Sequence, residues 1–202
     1  MIEKAGGFGI PAAEYEGQDS RMALIFNKTR EFAIRNGFSK EKVSTIIESL
    51  NKIVAEAEGQ EHDGSIPLPG ASETLEALKR SAYRIGIVTN TCESQLLKIL
   101  ERFGFKRYID FYVTRDDVEY LKPHPQPVLK MLEESGAKDF CYIGDADHDL
   151  EAARSASRLL GVSSMFILIN TRGYDKDLIA AMGPDKVIDS LEELQHVLTR
   201  TR

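Results

Sequence analysis

The sequence predicts an α/β protein built on a doubly wound parallel sheet with helices on both faces. Three observations lead there. From residue 67 onward, short runs rich in β-branched residues alternate with stretches of helical periodicity. Glycines stand at the ends of those stretches, at Gly104, Gly136 and Gly161, where a helix commonly closes on a left-handed residue. The first third of the chain, by contrast, carries helical periodicity and no convincing strand. Strands separated by helices return to the same end of a sheet, so they pair in parallel and are covered on both faces.

Residues 1–18 show no clear period. Gly6-Gly7-Phe8-Gly9 comes after no strand and lacks a Gly-Lys-Ser/Thr ending, so it reads as a flexible terminus and not as a nucleotide loop. From about Asp19 to Asn36, Met22, Ala23, Ile25, Phe26, Thr29, Phe32 and Ala33 recur at helical spacing, with Asp19 or Ser20 as N-cap and Asn36-Gly37 as the stop. A second helix from about Ser39 to Glu58 carries the stripe Val43, Ile46, Ile47, Leu50, Ile53, Val54 and Ala57. After Pro67-Leu-Pro-Gly70 come a helix over 71–81, a strand over 84–89, a helix over 93–103 and a strand over 109–114. A loop over 115–124 leads to a helix over 125–135, a strand over 140–144, a helix over 147–160 and a strand over 165–170. A short helix near 175–182, a strand over 186–188 and a helix over 191–198 close the chain.

At 202 residues the chain holds one domain of ordinary size, or one carrying a smaller insert. Its formal net charge of −6 argues against non-specific binding to nucleic acid or to an anionic membrane. No apolar stretch approaches the roughly 20 residues of a membrane span, and the start lacks the apolar core of a secretory signal, so the expected location is the cytoplasm. The two cysteines, Cys92 and Cys141, read as reduced thiols and not as a disulfide framework.

In an open parallel sheet, ligands bind beyond the carboxyl ends of the strands, so candidate site residues stand just after Val88, Val113, Ile143 and Ile169. Thr89, Asn90 and Thr91 come after the first of these. A hydroxyl there suits an oxyanion, or it caps the next helix. The next loop carries Lys122 in Leu121-Lys-Pro-His-Pro125, where flanking prolines restrict the backbone; the lysine is either a charge clamp or a solvated turn residue. After Ile143-Gly144 come Asp145, Asp147 and Asp149. Carboxylates gathered at a strand tip repel one another unless a cation or solvent offsets them, which makes a divalent metal the leading expectation for Asp145. Asp147 reads as an N-cap, His148 as a surface residue, and Asp149 either faces the site or complements the helix dipole.

Taken together, Thr89, Lys122 and Gly144-Asp145 with Asp149 resemble the second, third and fourth motifs of the haloacid dehalogenase-like hydrolases, in the phosphoglycolate phosphatase and β-phosphoglucomutase-like branch. Pro67-Leu-Pro-Gly70, Ala152-Ala153-Arg154, Gly173 and the run 187–194 fit the same branch. The resemblance implies a Rossmann-like core over 67–202 and, over 1–66, an N-terminal segment with a small α-helical cap. It also implies Mg2+-dependent hydrolysis of a small phosphorylated metabolite through an aspartyl-phosphate. Thr89, Asn90 and Lys122 would bind phosphate, with Thr89 and Lys122 serving catalysis. Asp145 would be the direct metal ligand and Asp149 a second or water-mediated one.

One part of that pattern is missing. Before Asp110 the only aspartates are Asp19 and Asp63, and two places beyond them stand Arg21 and Ser65. Neither comes after a strand-like run, so the nucleophile pair and the first core strand that bears it are not found. The expectation is a natural protein with a longer start, or else a chain that joins a separate fragment or has lost catalysis. As it stands the chain is expected to be inactive. The alternative is a non-catalytic module that binds phosphate or a partner. Oligomeric state is open, although an absent central strand would leave sheet edges that favour association.

Overall fold

The computed structural model describes residues 1–16, 22–61 and 64–199. Asp19 and Ser20, the expected caps, lie outside the described residues, as does Asp63. The first third is helical, as its periodicity predicts: α1 (Ile2–Gly6), a 3-10 turn (Ala12–Tyr15), α2 (Met22–Arg35) and α3 (Lys40–Glu61). The apolar stripes face one another, burying Ala23, Ile25, Phe26 and Ala33 of α2 against Val43, Ile46, Leu50 and Val54 of α3. The first 16 residues are more ordered than their lack of period implies. Ala5 and Ile10 are fully buried against Ile25 and Ile46, and the Tyr15 hydroxyl lies 2.8 Å from Thr29 Oγ1. A helix as short as α1 gives no repeat to read; its packing decides its structure.

From residue 71 the chain alternates as expected: α4 (Ala71–Arg80), β1 (Gly86–Val88), α5 (Glu93–Arg102), β2 (Phe111–Val113), α6 (Gln126–Ser135), β3 (Asp139–Gly144) and α7 (Asp147–Leu160). It ends with β4 (Ser163–Ile169), α8 (Lys176–Met182), β5 (Lys186–Ile188) and α9 (Leu191–Thr199). All pairings are parallel. Side chains alternate across the second sheet. Phe140, Tyr142, Phe166 and Leu168 pack with Leu150 and Ala153 of α7, whereas Cys141, Ile143, Ile167 and Ile169 pack with Leu78 of α4 and Leu194 and Leu198 of α9. Helices therefore cover both faces.

The strands do not form one sheet. Among the described residues β1 pairs with β2 alone, and β3, β4 and β5 form a separate sheet in that order. Among the described residues no strand bonds β1 to β3. The consequence is visible in burial: Phe140 to Ile143 of β3 are only half-buried, although their sequence is that of an interior strand, while Phe166 to Ile169 of β4 are buried. Helices join what the backbone does not. Val128 and Leu132 of α6 and Ala152 and Ala156 of α7 share a cluster with Val88 of one sheet and Phe140 and Tyr142 of the other.

Leu121, 2% exposed, lies in a loop of the α/β part yet packs among Ala23, Phe26, Leu50 and Val54. Leu121→Ala is therefore expected to cost about 2–5 kcal/mol in a denaturant melt, a core cost for a loop residue. Burial, with the charge of Asp185 adding to it, pushes the Cys141 thiol up to about 11. At pH 8 about one Cys141 in a thousand would be the reactive thiolate. Iodoacetamide should modify Cys141 slowly in the folded protein and rapidly in urea, as read by mass spectrometry.

Candidate functional site

The end of β1 is braced by its own threonine. Thr89 N–H continues the ladder to Val113 O at 2.9 Å, and Thr89 Oγ1 accepts from Thr91 N–H at 3.1 Å. Neither threonine caps α5. Cys92 holds the N-cap position without a side-chain bond to the helix backbone, and the Glu93 N–H is taken by Asp116 Oδ2 at 2.9 Å. Asn90 turns back toward the lysine loop. Its Oδ1 accepts from Lys122 N–H at 3.0 Å and its Nδ2 donates to Lys122 O at 3.2 Å, so its amide serves the lysine backbone.

Lys122 is not a solvated turn residue: it is 7% exposed. Its Nζ donates to Val88 O at 2.7 Å and to Asp149 Oδ1 at 2.7 Å, with the Tyr142 hydroxyl at 3.5 Å. The Lys122–Pro123 peptide is cis. Both charged side chains of the Lys122–Asp149 pair are 8% exposed. Burial, reinforced by the negative charge of Asp149, holds the Tyr142 hydroxyl well above its ordinary value, so it stays a proton donor.

Asp149 reaches the lysine because of Gly144. A Cβ at position 144 would lie 2.4 Å from Asp149 Cβ and 2.9 Å from its Cγ, so only glycine lets the first turn of α7 close on the end of β3. The three aspartates thus separate. Asp149 points inward to Lys122. Asp147 does not hold the N-cap position, which belongs to Ala146; it is exposed and accepts from the His148 N–H. His148 is half-buried, with Nε2 3.9 Å from Asp149 Oδ1. Asp145, at the strand tip, accepts from Arg172 Nε at 2.9 Å, and the two side chains are 41% and 51% exposed.

Arg172 is the residue that sequence reasoning passes over. It stands just past the end of β4, the strand beside β3, and that position was the available signal. With it two carboxylates at the strand ends stand paired with cations, Asp145 with Arg172 and Asp149 with Lys122. Among the described residues, no three His, Cys, Asp or Glu side chains gather as a metal-binding group. The donors present are hard oxygens, which suits magnesium, an ion that takes one or two carboxylates with waters and phosphate oxygens completing its shell. Asp145 fits that role best, since it is half-exposed and Arg172 engages only its Oδ2.

Comparison with known proteins agrees with this architecture. Residues 12–160 match the family description "Haloacid dehalogenase-like hydrolase". The chain is 33% identical over 130 residues to pyrophosphatase PpaX of Bacillus mycoides, covering 63% of this chain and 58% of that protein. It is 31% identical over 135 residues to phosphoglycolate phosphatase of Salmonella typhimurium, covering 65% of this chain and 51% of that one. The chain thus spans little more than half the length of these curated relatives. Among solved structures, a predicted phosphoglycolate phosphatase from Haemophilus somnus superimposes with a TM-score of 0.60 at 20% identity, over 98% of this chain and 88% of that one. A hydrolase from Pseudomonas syringae does so with a TM-score of 0.60 at 26% identity, over 98% and 89%. No described helix is long and apolar enough to cross a membrane. With the family match spanning most of its length, the chain belongs to the haloacid dehalogenase-like hydrolases.

Proposed function

We propose that this chain is the scaffold of a magnesium-dependent phosphatase for a small phosphorylated metabolite, with residues 1–66 as an N-terminal segment and α-helical cap on a core of residues 67–202. The observation that carries this reading is the buried ammonium of Lys122 at the carboxyl end of β1, beside Asp149 and near Thr89. In an open parallel sheet that is where a ligand binds, and a phosphate there needs a fixed positive charge. Curated relatives named as a pyrophosphatase and a phosphoglycolate phosphatase support a small phosphate-bearing substrate.

In this reading Lys122 holds a phosphate oxygen and offsets charge on the transferring group, while Asn90 keeps its backbone in place. The Thr89 hydroxyl provides a further contact. Asp145 would hold Mg2+ where Arg172 leaves it an open oxygen, and Asp149 would act on the lysine and, at most through water, on the ion. Magnesium, when bound, would withdraw charge from the phosphate oxygens. The family's aspartyl-phosphate requires an attacking carboxylate on a strand ahead of β1. Among the described residues no strand precedes β1, which supports the expectation that the chain as it stands does not turn over. The second reading, an anion-binding module without catalysis, is favoured by the pairing of Asp145 and Asp149 with Arg172 and Lys122.

A phosphatase assay with magnesium separates the two. The chain itself should be silent, and a longer version preceded by an apolar strand ending in Asp-x-Asp should hydrolyse a phosphomonoester or pyrophosphate. Failure of the longer version on every such substrate would sink the enzyme reading. In calorimetry, Asp145→Asn should weaken Mg2+ binding, and Lys122→Met should weaken orthophosphate binding, each by about tenfold or more, the loss of one charged hydrogen bond. Unchanged affinities in both would overturn the site map. Lys122→Met also leaves Asp149 buried without its partner, so it should lose about 3–5 kcal/mol in a denaturant melt, much of it recovered in Lys122→Met/Asp149→Asn.

A further inference from the structure

Residues 121 and 122 are gripped from opposite sides. Asn27, on α2, is 7% exposed, and a buried amide must find both a donor and an acceptor. It finds them on one residue: Asn27 Oδ1 accepts from Leu121 N–H and Asn27 Nδ2 donates to Leu121 O, each at 2.8 Å. The next residue is held in the same way by Asn90, at the end of β1. The two amides act like short pieces of β-ladder, one supplied by the helical segment and one by the sheet. Leu121 also places its side chain among Ala23, Phe26, Leu50 and Val54. The chain therefore passes from the core of the helices to the strand ends between Leu121 and Lys122.

A second link runs from α3. Glu58 takes the Arg115 guanidinium in a two-pronged pair, Oε1 to one terminal nitrogen and Oε2 to the other, both at 3.0 Å. The Arg115 side chain is 2% exposed and that of Glu58 is 11% exposed. The same guanidinium donates to Asn90 O at 3.0 Å, so Arg115 fixes the residue that fixes Lys122. Apart from the Leu121 side chain, both links are polar. Burying an ion pair costs much of what its attraction returns, and water takes back both charges when the helices lift away. Such a contact favours one seating of the helices while leaving separation possible, unlike an apolar interface of the same area.

We propose that Asn27 and the Glu58–Arg115 pair are positioning residues that make the placement of Lys122 conditional on the seating of α2 and α3. This rests on the phosphatase reading for its purpose, since Lys122 matters because it holds phosphate; the coupling is a separate claim. When the helices are seated, the lysine ammonium is held between Val88 O and Asp149. When they lift, Leu121 loses both amide bonds and its apolar neighbours, and Arg115 loses the carboxylate that holds it against Asn90 O.

The test reads Lys122 directly. An amine-acylating reagent, with mass spectrometry as readout, reports its reactivity against the exposed Lys138. In the unaltered protein Lys122 should label slowly. In Asn27→Ala, and in Glu58→Met/Arg115→Met, where the pair becomes two apolar side chains, its rate should rise about tenfold or more through local opening. The melting temperature of the double variant should stay within a few degrees of the parent, which separates loss of positioning from loss of fold. Wild-type labelling of Lys122 in either folded variant would overturn the coupling. Amide exchange of the unaltered protein gives a reading that needs no variant: the Leu121 and Lys122 amides should open together with those of α2. If they stay as protected as β4 while α2 exchanges, the coupling is wrong. Faster labelling in the variants, together with unchanged orthophosphate affinity in Lys122→Met, would leave the coupling standing and remove the phosphate role.

Discussion

Lys122 carries an ammonium into a place where almost no water reaches it, and a buried ammonium needs partners for its protons and an opposite charge nearby. Asp149 provides the charge, Val88 O a second acceptor, and the Tyr142 hydroxyl lies at the edge of hydrogen-bond range. Meeting that demand ties together parts that no strand pairing joins among the described residues, since Val88 ends β1 and Asp149 lies in the first turn of the helix that packs on β3. The glycine at 144, the clamp at Asn90 and the close approach of α7 are all conditions for this contact. Removing either charge alone would leave the other stranded, which makes the pair a constraint on its surroundings more than a source of net stability.

The acidic run at the end of β3 shows how position along a strand-to-helix junction divides like residues. Asp145 belongs to the strand tip and meets solvent and Arg172. Asp147 begins the helix on its outer side, and Asp149, two residues on, is turned inward. Mutual repulsion, the reason such a run looks costly, is offset here by two cations from different loops. The resulting balance leaves Asp145 as the carboxylate with an oxygen to offer, and Asp149 bound to the lysine.

The helical segment meets the α/β part through a mixture of apolar and polar contacts, and these differ in what they do. Leu121 is a core contact that adds cohesion. Asn27 and Glu58 satisfy specific buried groups and hold them at one geometry. Orientation of the lysine loop comes from the second kind, because apolar burial alone does not fix where a backbone carbonyl points.

Periodicity determined the order and type of the main elements. The stripes of α2 and α3 and the apolar runs read as strands at 84–89 and 165–170 encode how each segment buries its side chains, and that is a local property. The family was legible in the motifs around Thr89, Lys122 and Asp145 for the same reason: their spacing along the chain is their signature. Position in the chain could not show that α1 is packed, because five residues hold no repeat, nor that the strands divide into two sheets, because pairing is a contact between distant segments. It could not show that Lys122 is buried against Asp149, that Arg172 rather than the chain's own repulsion governs Asp145, or that Asn27 grips a loop 94 residues away. Each of these depends on which side chain completes another's unmet hydrogen bond or charge. A sequence lists donors and acceptors, but only the tertiary structure pairs them.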